Sequence, residues 1–306
     1  MTPKPPPPTA TATATAPPRT QPLISNRPAP MQAPPPQTTS NTIGQASGKK
    51  FTILSGKRHR AELVVLYGPG GIGKSTLAGL APNPCFIETE PGAHKIDLPK
   101  VIPYEQIVED GNLAKGWTNI REVLRSDCWE DVGTIVIDTI TRAEDLAKAW
   151  TLENVPSENG RPVTSIEGYG YGKGYTHLYE TFMRLLPDLR AHTRAGRNVI
   201  LISHECLTEI KNPFGENYDR YEPRLQHTKN TSIRYQLKEE CDQMFFIAYD
   251  IAVKDGKARG NSTRTIYTAE SPYCMAKNRD VPGPMYFDTP TDARIWQAIF
   301  NTTKES

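Results

Sequence analysis

The chain has 306 residues, enough for one large α/β domain with extensions, and carries 36 basic and 34 acidic side chains. This near balance argues against a protein that is basic throughout, so any contact with nucleic acid has to be local. The sequence contains no apolar stretch long enough to span a membrane, and no apolar signal segment follows its N-terminus. We therefore expect a cytoplasmic protein with no membrane partner.

The first 50 residues differ in composition from the rest. They contain 13 of the 28 prolines, alternating Thr and Ala, five basic residues and no acidic residue. Such a segment cannot bury enough apolar surface to offset the entropy lost on ordering, so residues 1–50 are predicted to form a disordered tail. It is either a spacer or a weak electrostatic tether to nucleic acid or a partner. A folded domain at 51–300 and a short C-terminal tail at 301–306 would complete the chain.

Beyond the tail, apolar runs alternate with amphipathic patterns, as expected for a parallel sheet covered by helices. Strands are predicted near residues 61–67, 85–87, 133–137, 198–203, 244–248 and 263–267. Helices are predicted to begin near residue 76 and to lie around 117–124, 146–150 and 175–189. Two irregular stretches, 154–174 and 205–235, are long for a compact domain, which indicates function or disorder.

The strand at 61–67 leads into a complete G-x-x-x-x-G-K-[ST] phosphate-binding loop, Gly68-Pro69-Gly70-Gly71-Ile72-Gly73-Lys74-Ser75. Its glycines let backbone N–H groups point at phosphate oxygens, while Lys74 can reach the β- and γ-phosphates and Ser75 can bind Mg²⁺. A helix that begins at Thr76 would direct its N-terminus at the phosphates. The expected ligands are ATP and Mg²⁺; the alternative is a glycine-rich turn with an incidental lysine.

Acidic residues follow two of the other predicted strands. Asp138 ends the strand at 133–137, where a nucleotide triphosphatase holds Mg²⁺, although such an Asp can instead cap a helix. Glu88 and Glu90 follow the strand at 85–87 and point the same way on an extended chain. One of them could orient or deprotonate a water molecule, but two surface acids at a strand end are also common.

Three segments resemble the RecA-type recombinases in addition to Ile135-Val136-Ile137-Asp138-Thr139, which resembles the Mg²⁺ strand of that family. The segment Cys85-Phe86-Ile87-Glu88-Thr89-Glu90 resembles the stretch whose second acid polarises the attacking water, which implies Glu90 as general base and Glu88 as its support. Ile202-Ser203-His204 resembles the strand end that senses the γ-phosphate, usually through glutamine, which implies this role for His204. A strand-end histidine satisfied by local backbone is the alternative.

The third segment, Met275-Ala276-Lys277-Asn278-Arg279, resembles the paired cations with which one RecA subunit reaches its neighbour's ATP site. The resemblance implies that Lys277 and Arg279 stabilise transition-state charge in trans, within a homo-oligomeric ring or filament. The alternative is a solvated basic turn.

Taken together, residues 51–300 are similar to phage and prophage ATP-binding proteins of the RecA-like AAA class, which include the Sak-type single-strand annealing recombinases. The discriminating elements are Ser203-His204-Glu205 and Ala276-Lys277-Asn278-Arg279, because the phosphate loop is generic. The resemblance implies a RecA-like P-loop NTPase core, with a mostly parallel central sheet flanked by helices. It also implies a bacterial host cell if the protein is phage-encoded, and it leaves the tail unexplained.

Cations and aromatic residues are interleaved in the stretch at 205–235 and near residue 171, as in proteins that bind single-stranded DNA. In RecA-like proteins the loop after the γ-phosphate-sensing strand contacts DNA. The candidate DNA contacts are Tyr171, Lys173, Lys211, Arg220, Tyr221 and Arg224. Acidic residues dilute the charge of the longer stretch, and packing of these loops on a neighbouring subunit is the alternative.

The sequence thus predicts Mg²⁺-dependent ATP hydrolysis coupled to single-stranded DNA binding in recombination or strand annealing. A single-strand binding protein is a further candidate partner. The alternative is an ATP-dependent switch or assembly factor that acts on protein partners without nucleic acid, which the near-neutral core favours. A metabolic kinase is weaker, since no arginine-rich lid segment or acceptor-site motif is found.

Overall fold

The computed structural model describes residues 42–46, 49–52, 60–90, 97, 99–102, 104–254, 257–287, 289 and 291–300. The chain divides into two compact units, residues 1–58 and 59–306. In the first unit, strands β1 (Thr42–Ala46) and β2 (Lys49–Thr52) pair antiparallel. Both contain β-branched or aromatic residues, which favour an extended chain. The rest of the predicted tail at 1–50 and the tail at 301–306 lie outside the described residues.

The second unit comprises residues 59–306. Its strands, in chain order, are β3 (Leu63–Tyr67), β4 (Pro84–Glu88), β5 (Lys100–Ile102), β6 (Thr134–Asp138), β7 (Asn198–Ser203), β8 (Glu205–Ile210), β9 (Tyr218–Pro223), β10 (Gln243–Lys254), β11 (Lys257–Tyr267) and β12 (Met285–Phe287). Its helices are α1 (Lys74–Ala78), α2 (Tyr104–Ile107), α3 (Leu113–Arg125), α4 (Ile140–Asn154), α5 (Lys173–Met183), α6 (Leu185–Arg194), α7 (Ile233–Glu240) and α8 (Arg294–Ile299).

Eight of these strands form one sheet in the order β12-β11-β10-β3-β7-β6-β4-β5. The six from β10 to β5 run parallel, and β11 and β12 are antiparallel to their neighbours. Strand β7 lies between the strand that enters the phosphate loop and the strand that ends at Asp138. The predicted P-loop core, with a mostly parallel central sheet flanked by helices, is confirmed.

Alternate residues of β3 face opposite sides of the sheet, so each side has its own apolar core. Leu63, Val65 and Tyr67 pack with helices α3 to α7, whereas Val64 and Leu66 pack with α1 and α8. No helix of the described segments combines the length and the apolar character that crossing a bilayer requires.

Strands β1, β2, β5 and β12 were not predicted from the sequence, and two predicted segments have a different structure. The helix predicted over 175–189 is divided into α5 and α6, because Pro187 has no N–H for the carbonyl of Met183. The stretch at 205–235 is ordered: β8 and β9 form an antiparallel hairpin, and α7 begins at Ile233. Its charged residues resemble those of a loop, but several form buried ion pairs.

Candidate nucleotide-binding site

The carboxyl ends of β3, β4, β6 and β7 lie along one edge of the sheet. The pairs Tyr67↔Ser203 and Glu88↔Asp138 are in register, so the residues just beyond these strands converge. This edge carries the phosphate loop, Glu90, Asp138 and His204. The topology of a parallel sheet therefore assembles the predicted residues from four separate parts of the chain.

The phosphate loop curls tightly between β3 and α1. Gly73 has a φ of 101°, in the left-handed region. Gly68 has a φ of 156°, and a Cβ there would lie 2.3 Å from the carbonyl oxygen of Ile247 in β10. Gly68 is therefore required because β3 and β10 approach closely, and Gly73 because its backbone is in the left-handed region.

Lys74 is buried and folds back over its own loop. Its Nζ donates hydrogen bonds to the carbonyl oxygens of Gly68 and Pro69, at 2.7 and 2.8 Å. Burial lowers the pKa of the Lys74 ammonium, whereas the charges of Glu205, Asp138 and other acids oppose that shift. The ammonium is thus held at the loop by carbonyls that phosphate oxygens can replace.

Ser75 and Asp138 form the candidate metal site. The Ser75 Oγ donates to Asp138 Oδ2 at 2.5 Å, and the Asp138 side chain is 7 % exposed. Burial raises the pKa of this carboxyl group, and the hydrogen bond from Ser75 opposes the rise. A hydroxyl and a carboxylate beside a phosphate loop are the hard oxygen donors that Mg²⁺ prefers, so these residues fit the ion.

Thr139, rather than Asp138, caps the helix that follows β6. Its Oγ1 accepts the N–H of Arg142 at the start of α4. The alternative role for Asp138 as a helix cap is therefore filled by its neighbour, which leaves the Asp138 carboxylate facing the loop. The peptide bond between the two residues is cis.

Glu90 is held by two side chains from other strands. Its Oε1 accepts from Thr139 Oγ1 at 2.6 Å and lies 3.1 Å from His204 Nε2. The hydrogen bond from His204, partly opposed by burial, lowers the pKa of Glu90 to about 2. This carboxylate is therefore ionised at neutral pH, beside the metal site.

His204 contacts the site through its ring and is positioned through its backbone. Its N–H donates to Thr141 Oγ1 at 3.1 Å, and its carbonyl accepts from Ser203 Oγ and from the N–H of Arg224. The ring is directed at Glu90 rather than at nearby backbone, unlike the alternative considered for a strand-end histidine.

These groups line one cleft of about 290 Å³. Its walls are Gly70, Gly71, Gly73, Lys74, Ser75, Thr76, Glu90, Asp138, Thr139 and His204. All of them except Thr139 were singled out from the sequence. Gly68, Pro69 and Ile72 do not line the cleft: the first two bind Lys74, and the Ile72 side chain is buried in the core. Glu88 is buried and ion-paired with Lys100 instead.

Lys277 is not positioned as the resemblance implied. Its Nζ donates to the carbonyl oxygens of Lys238, Glu239 and Cys241, at 2.9, 2.8 and 2.5 Å. These carbonyls lie at the C-terminal end of α7, where helix carbonyls have no partners within the helix. The ammonium therefore caps a helix of its own chain instead of extending towards a neighbour.

Arg279 lies at the amino-terminal end of β10, opposite the phosphate loop. Its backbone N–H donates to the side chain of Gln243, and its own side chain is exposed. Among the described residues, none forms a hydrogen bond or ion pair with its guanidinium. It does not contribute to the cleft of its own chain.

The candidate DNA contacts fall into two groups. Tyr171 is fully exposed between two left-handed glycines, Lys211 and Arg224 are exposed, and Tyr221 is 41 % exposed. Lys173 is ion-paired with Glu158. In contrast, Arg220 is 9 % exposed and paired with Glu222 and Glu270. Arg220 is a structural residue of β9, because its guanidinium is already ion-paired with the buried Glu222 and with Glu270 and cannot follow a phosphate backbone.

One residue at the loop was missed entirely. Arg264 of β11 donates from Nη1 to the carbonyl oxygen of Ile72 at 3.0 Å, and its guanidinium lies 5.0 Å from the centre of the Phe287 ring. Arg264 lies 192 positions beyond Ile72, and no local pattern links the two. Thr139, by contrast, could have been found as the Ser/Thr cap between Asp138 and a predicted helix.

The comparisons with known proteins give a similar solved structure and a matching family. The crystal structure of flagellar accessory protein FlaH from Methanocaldococcus jannaschii is similar, with 11% identity and a TM-score of 0.32, over 68% of this chain and 77% of that one. No curated protein sequence matches the chain. The model of the family described as AAA domain matches residues 60–280, which include every residue that lines the cleft. Because this match covers more than two thirds of its length, the chain belongs to the AAA domain family and contains a P-loop ATPase domain.

Proposed function

We propose that this protein binds ATP with Mg²⁺ and couples hydrolysis to the binding of single-stranded DNA, in recombination or strand annealing. One observation carries the proposal. The phosphate loop, the Ser75–Asp138 pair and the Glu90–His204 pair lie in one cleft, and the hairpin β8–β9 begins at the residue after His204. A movement of His204 on binding or loss of the γ-phosphate would thus be passed directly to the hairpin β8–β9.

The residues of the cleft divide the chemistry among them. Lys74 would exchange its two carbonyls for β- and γ-phosphate oxygens. Ser75 and Asp138 would hold Mg²⁺, which neutralises phosphate charge when bound. Glu90, ionised and fixed by Thr139 and His204, would orient the attacking water.

The DNA part of the proposal rests on the hairpin and on the glycine-rich turn before α5. Phe214 at the tip of the hairpin is 98 % exposed, Lys211 is close to it in sequence, and Tyr171 is fully exposed. Aromatic faces that stack on bases, next to cations, suit a single strand without sequence preference. A homo-oligomer, with Arg279 completing a neighbouring site, and a single-strand binding protein as partner remain part of this proposal.

A second candidate is an ATP-dependent switch that acts on a protein partner. Leu207, Tyr221 and Tyr273 are exposed apolar residues near the base of the same hairpin, and the commitment of Arg220 removes one cation from the surface. Exposed apolar residues that gather on one surface favour a protein partner over a phosphate backbone.

The two candidates are separated by measuring ATP hydrolysis with and without single-stranded DNA over a range of salt concentrations. Stimulation that fades as salt rises would support phosphate-backbone binding coupled to turnover. Hydrolysis indifferent to DNA, with no binding at low salt, would favour the protein-partnered switch. The Lys74→Ala variant is the control. Any hydrolysis that its preparation shows comes from contaminating enzymes and is subtracted from the wild-type rate.

A further inference from the structure

Arg224 is joined to the residue that contacts the candidate catalytic glutamate. Its backbone N–H donates to the carbonyl oxygen of His204 at 2.8 Å, and the His204 ring lies 3.1 Å from Glu90. The chain leaves the cleft at His204, forms the hairpin β8–β9, and returns beside the cleft at Arg224. Arg224 thus lies at the base of the hairpin rather than at its tip, and it lines a second cleft with Glu144 and Asp145.

The backbone around Arg224 is firmly held. Glu222 is fully buried and ion-paired with both Arg220 and Arg234, and Arg234 Nη2 donates to the carbonyl of Leu225 at 3.1 Å. The N–H of Gln226 donates to Glu144 at 2.8 Å. Residues on both sides of Arg224 are therefore fixed, so the backbone from which its side chain extends has a defined position.

The Arg224 side chain itself is uncommitted. It is exposed, and its guanidinium forms no hydrogen bond or ion pair with any residue that the structure describes. Its neighbouring arginines in the hairpin network, Arg220 and Arg234, are buried in ion pairs. Arg224 therefore differs from them in keeping all its donors available.

The charge of Arg224 nevertheless acts in the cleft. The pKa of Glu90 is lowered first by the hydrogen bond from His204, and the Arg224 charge adds to that lowering. The pKa of Lys74 is lowered first by burial, and the Arg224 charge acts in the same direction. Both effects show that the guanidinium charge lies within range of Glu90 and Lys74, since charge effects fall off with distance.

The negative charge in and around the cleft calls for a second cation beside Lys74. Asp138, Glu90 and Glu205 act on Lys74 with negative charge. A triphosphate adds more negative charge, and charge shifts further onto its equatorial oxygens during transfer. Of the two cations that resemblance assigned to this task, Lys277 caps α7 and Arg279 lies at the opposite edge of the sheet.

We infer that Arg224 contacts the γ-phosphate of ATP bound in its own chain and stabilises the charge that develops during hydrolysis. This inference rests on the proposed ATPase function and changes the role expected of Arg224 from DNA contact to phosphate contact. Because ADP lacks the γ-phosphate, the residue would distinguish ATP from ADP. The chemistry matches the pairing of a guanidinium with phosphate oxygens.

The test compares Arg224→Ala and Arg224→Lys with the wild type by calorimetric titration with ATPγS and with ADP, and by steady-state hydrolysis without DNA. We expect Arg224→Ala to weaken ATPγS binding about tenfold, leave ADP binding unchanged and lower kcat by about 10²–10³-fold. Arg224→Lys should recover part of both losses, since it keeps the charge. Arg161→Ala, an exposed arginine of the 154–174 loop, is the matched control for removing a surface charge.

Several results would overturn the inference. An equal effect on ATPγS and ADP would assign Arg224 to the site as a whole, and a loss confined to DNA binding would restore the DNA role. Activity regained on mixing Arg224→Ala with Lys74→Ala chains, which keep Arg224, would place the contact in trans. A wild type that binds no ATPγS would defeat the proposed function itself, whereas an active wild type with an indistinguishable Arg224→Ala would defeat only this inference.

Discussion

At the residue scale, Glu90 has contacts that fix its charge and its direction. Thr139 and His204 both contact the same carboxylate oxygen, which leaves the other oxygen without a described hydrogen-bond partner. With a pKa of about 2, the group is a weak base. Its expected contribution is to orient water towards the γ-phosphate, and its basicity would rise if the hydrogen bond from His204 were transferred to a phosphate oxygen.

Replacing Glu90 by Gln tests this role, because the amide keeps the shape and loses the charge. We expect ATP binding to persist and kcat to fall by about 10²–10⁴-fold. Calorimetric titration with ATPγS and steady-state kinetics measure the two effects separately. Hydrolysis at the wild-type rate would show that another group handles the water.

Replacing His204 by Ala should raise the pKa of Glu90 towards its ordinary value of 4.5, because it removes the main cause of the depression. The carboxylate, needed in its ionised form, would then begin to protonate at a higher pH. We therefore expect the acid limb of the kcat/KM profile to move to higher pH. His204→Gln, which can still donate a hydrogen bond, is the control, and an acid limb that does not move would contradict the assignment.

At the scale of elements, the hairpin β8–β9 and helix α7 form one unit with a buried ionic centre. Glu222 pairs with Arg220 of β9 and with Arg234 of α7, and Arg234 also donates to Thr208 of β8 at 2.9 Å. Removing one partner of such a buried network typically costs about 3–5 kcal/mol, because the remaining charges lose their counterion. The unit is therefore a firm base from which the tip around Phe214 projects.

Lys277 also acts at the scale of elements, because its ammonium caps the last carbonyls of α7. We expect Lys277→Ala to lower the free energy of unfolding by about 1–3 kcal/mol, since three carbonyls lose their donor. Chemical denaturation measures this loss, and Lys277→Arg should recover part of it. A variant that keeps full stability but no longer hydrolyses ATP would instead support the role in trans that the resemblance implied.

The same elements explain what the sequence could and could not predict. Five of the six parallel strands were foreseen, because continuous apolar runs between glycines and prolines have few other interpretations, whereas the short strand β5 was not. The hairpin was not, since Arg220 and Glu222 face inwards and give its strands the charged pattern of a loop. Charged residues in a sequence are normally predicted to be exposed. The ion pair between Arg234 of α7 and Glu222 exists only in the folded chain, so no local pattern indicates it.

At the scale of the whole molecule, the sheet separates two sets of functional candidates. The phosphate loop, Glu90, Asp138 and His204 lie at the carboxyl edge, where the ends of adjacent strands must meet, and so their convergence followed from the motifs. Arg279 lies at the amino edge beside Gln243. Contacts such as Arg264 with Ile72 depend on the antiparallel strands added to the sheet, and no spacing in the sequence encodes them.

This separation makes the role of Arg279 a question of assembly. If a second copy places its amino edge against the cleft, Arg279→Ala should abolish hydrolysis, and added Lys74→Ala chains, with Arg279 intact, should restore part of it. The rate as a function of the mixing ratio is the measurement. Lys74→Ala, Arg279→Ala double-variant chains are the control, and failure of single-variant chains to restore activity would count against the trans role.

The first glycine of the phosphate loop illustrates how one position can be constrained for a reason unrelated to its ligand. At Gly68 even a methyl group would lie 2.3 Å from a backbone oxygen of β10, a neighbour that cannot yield as a side-chain tip can. A replacement there would drive the central strands apart before any nucleotide is encountered. Selection for folding would therefore keep glycine at residue 68 even in a descendant of this chain that no longer bound ATP.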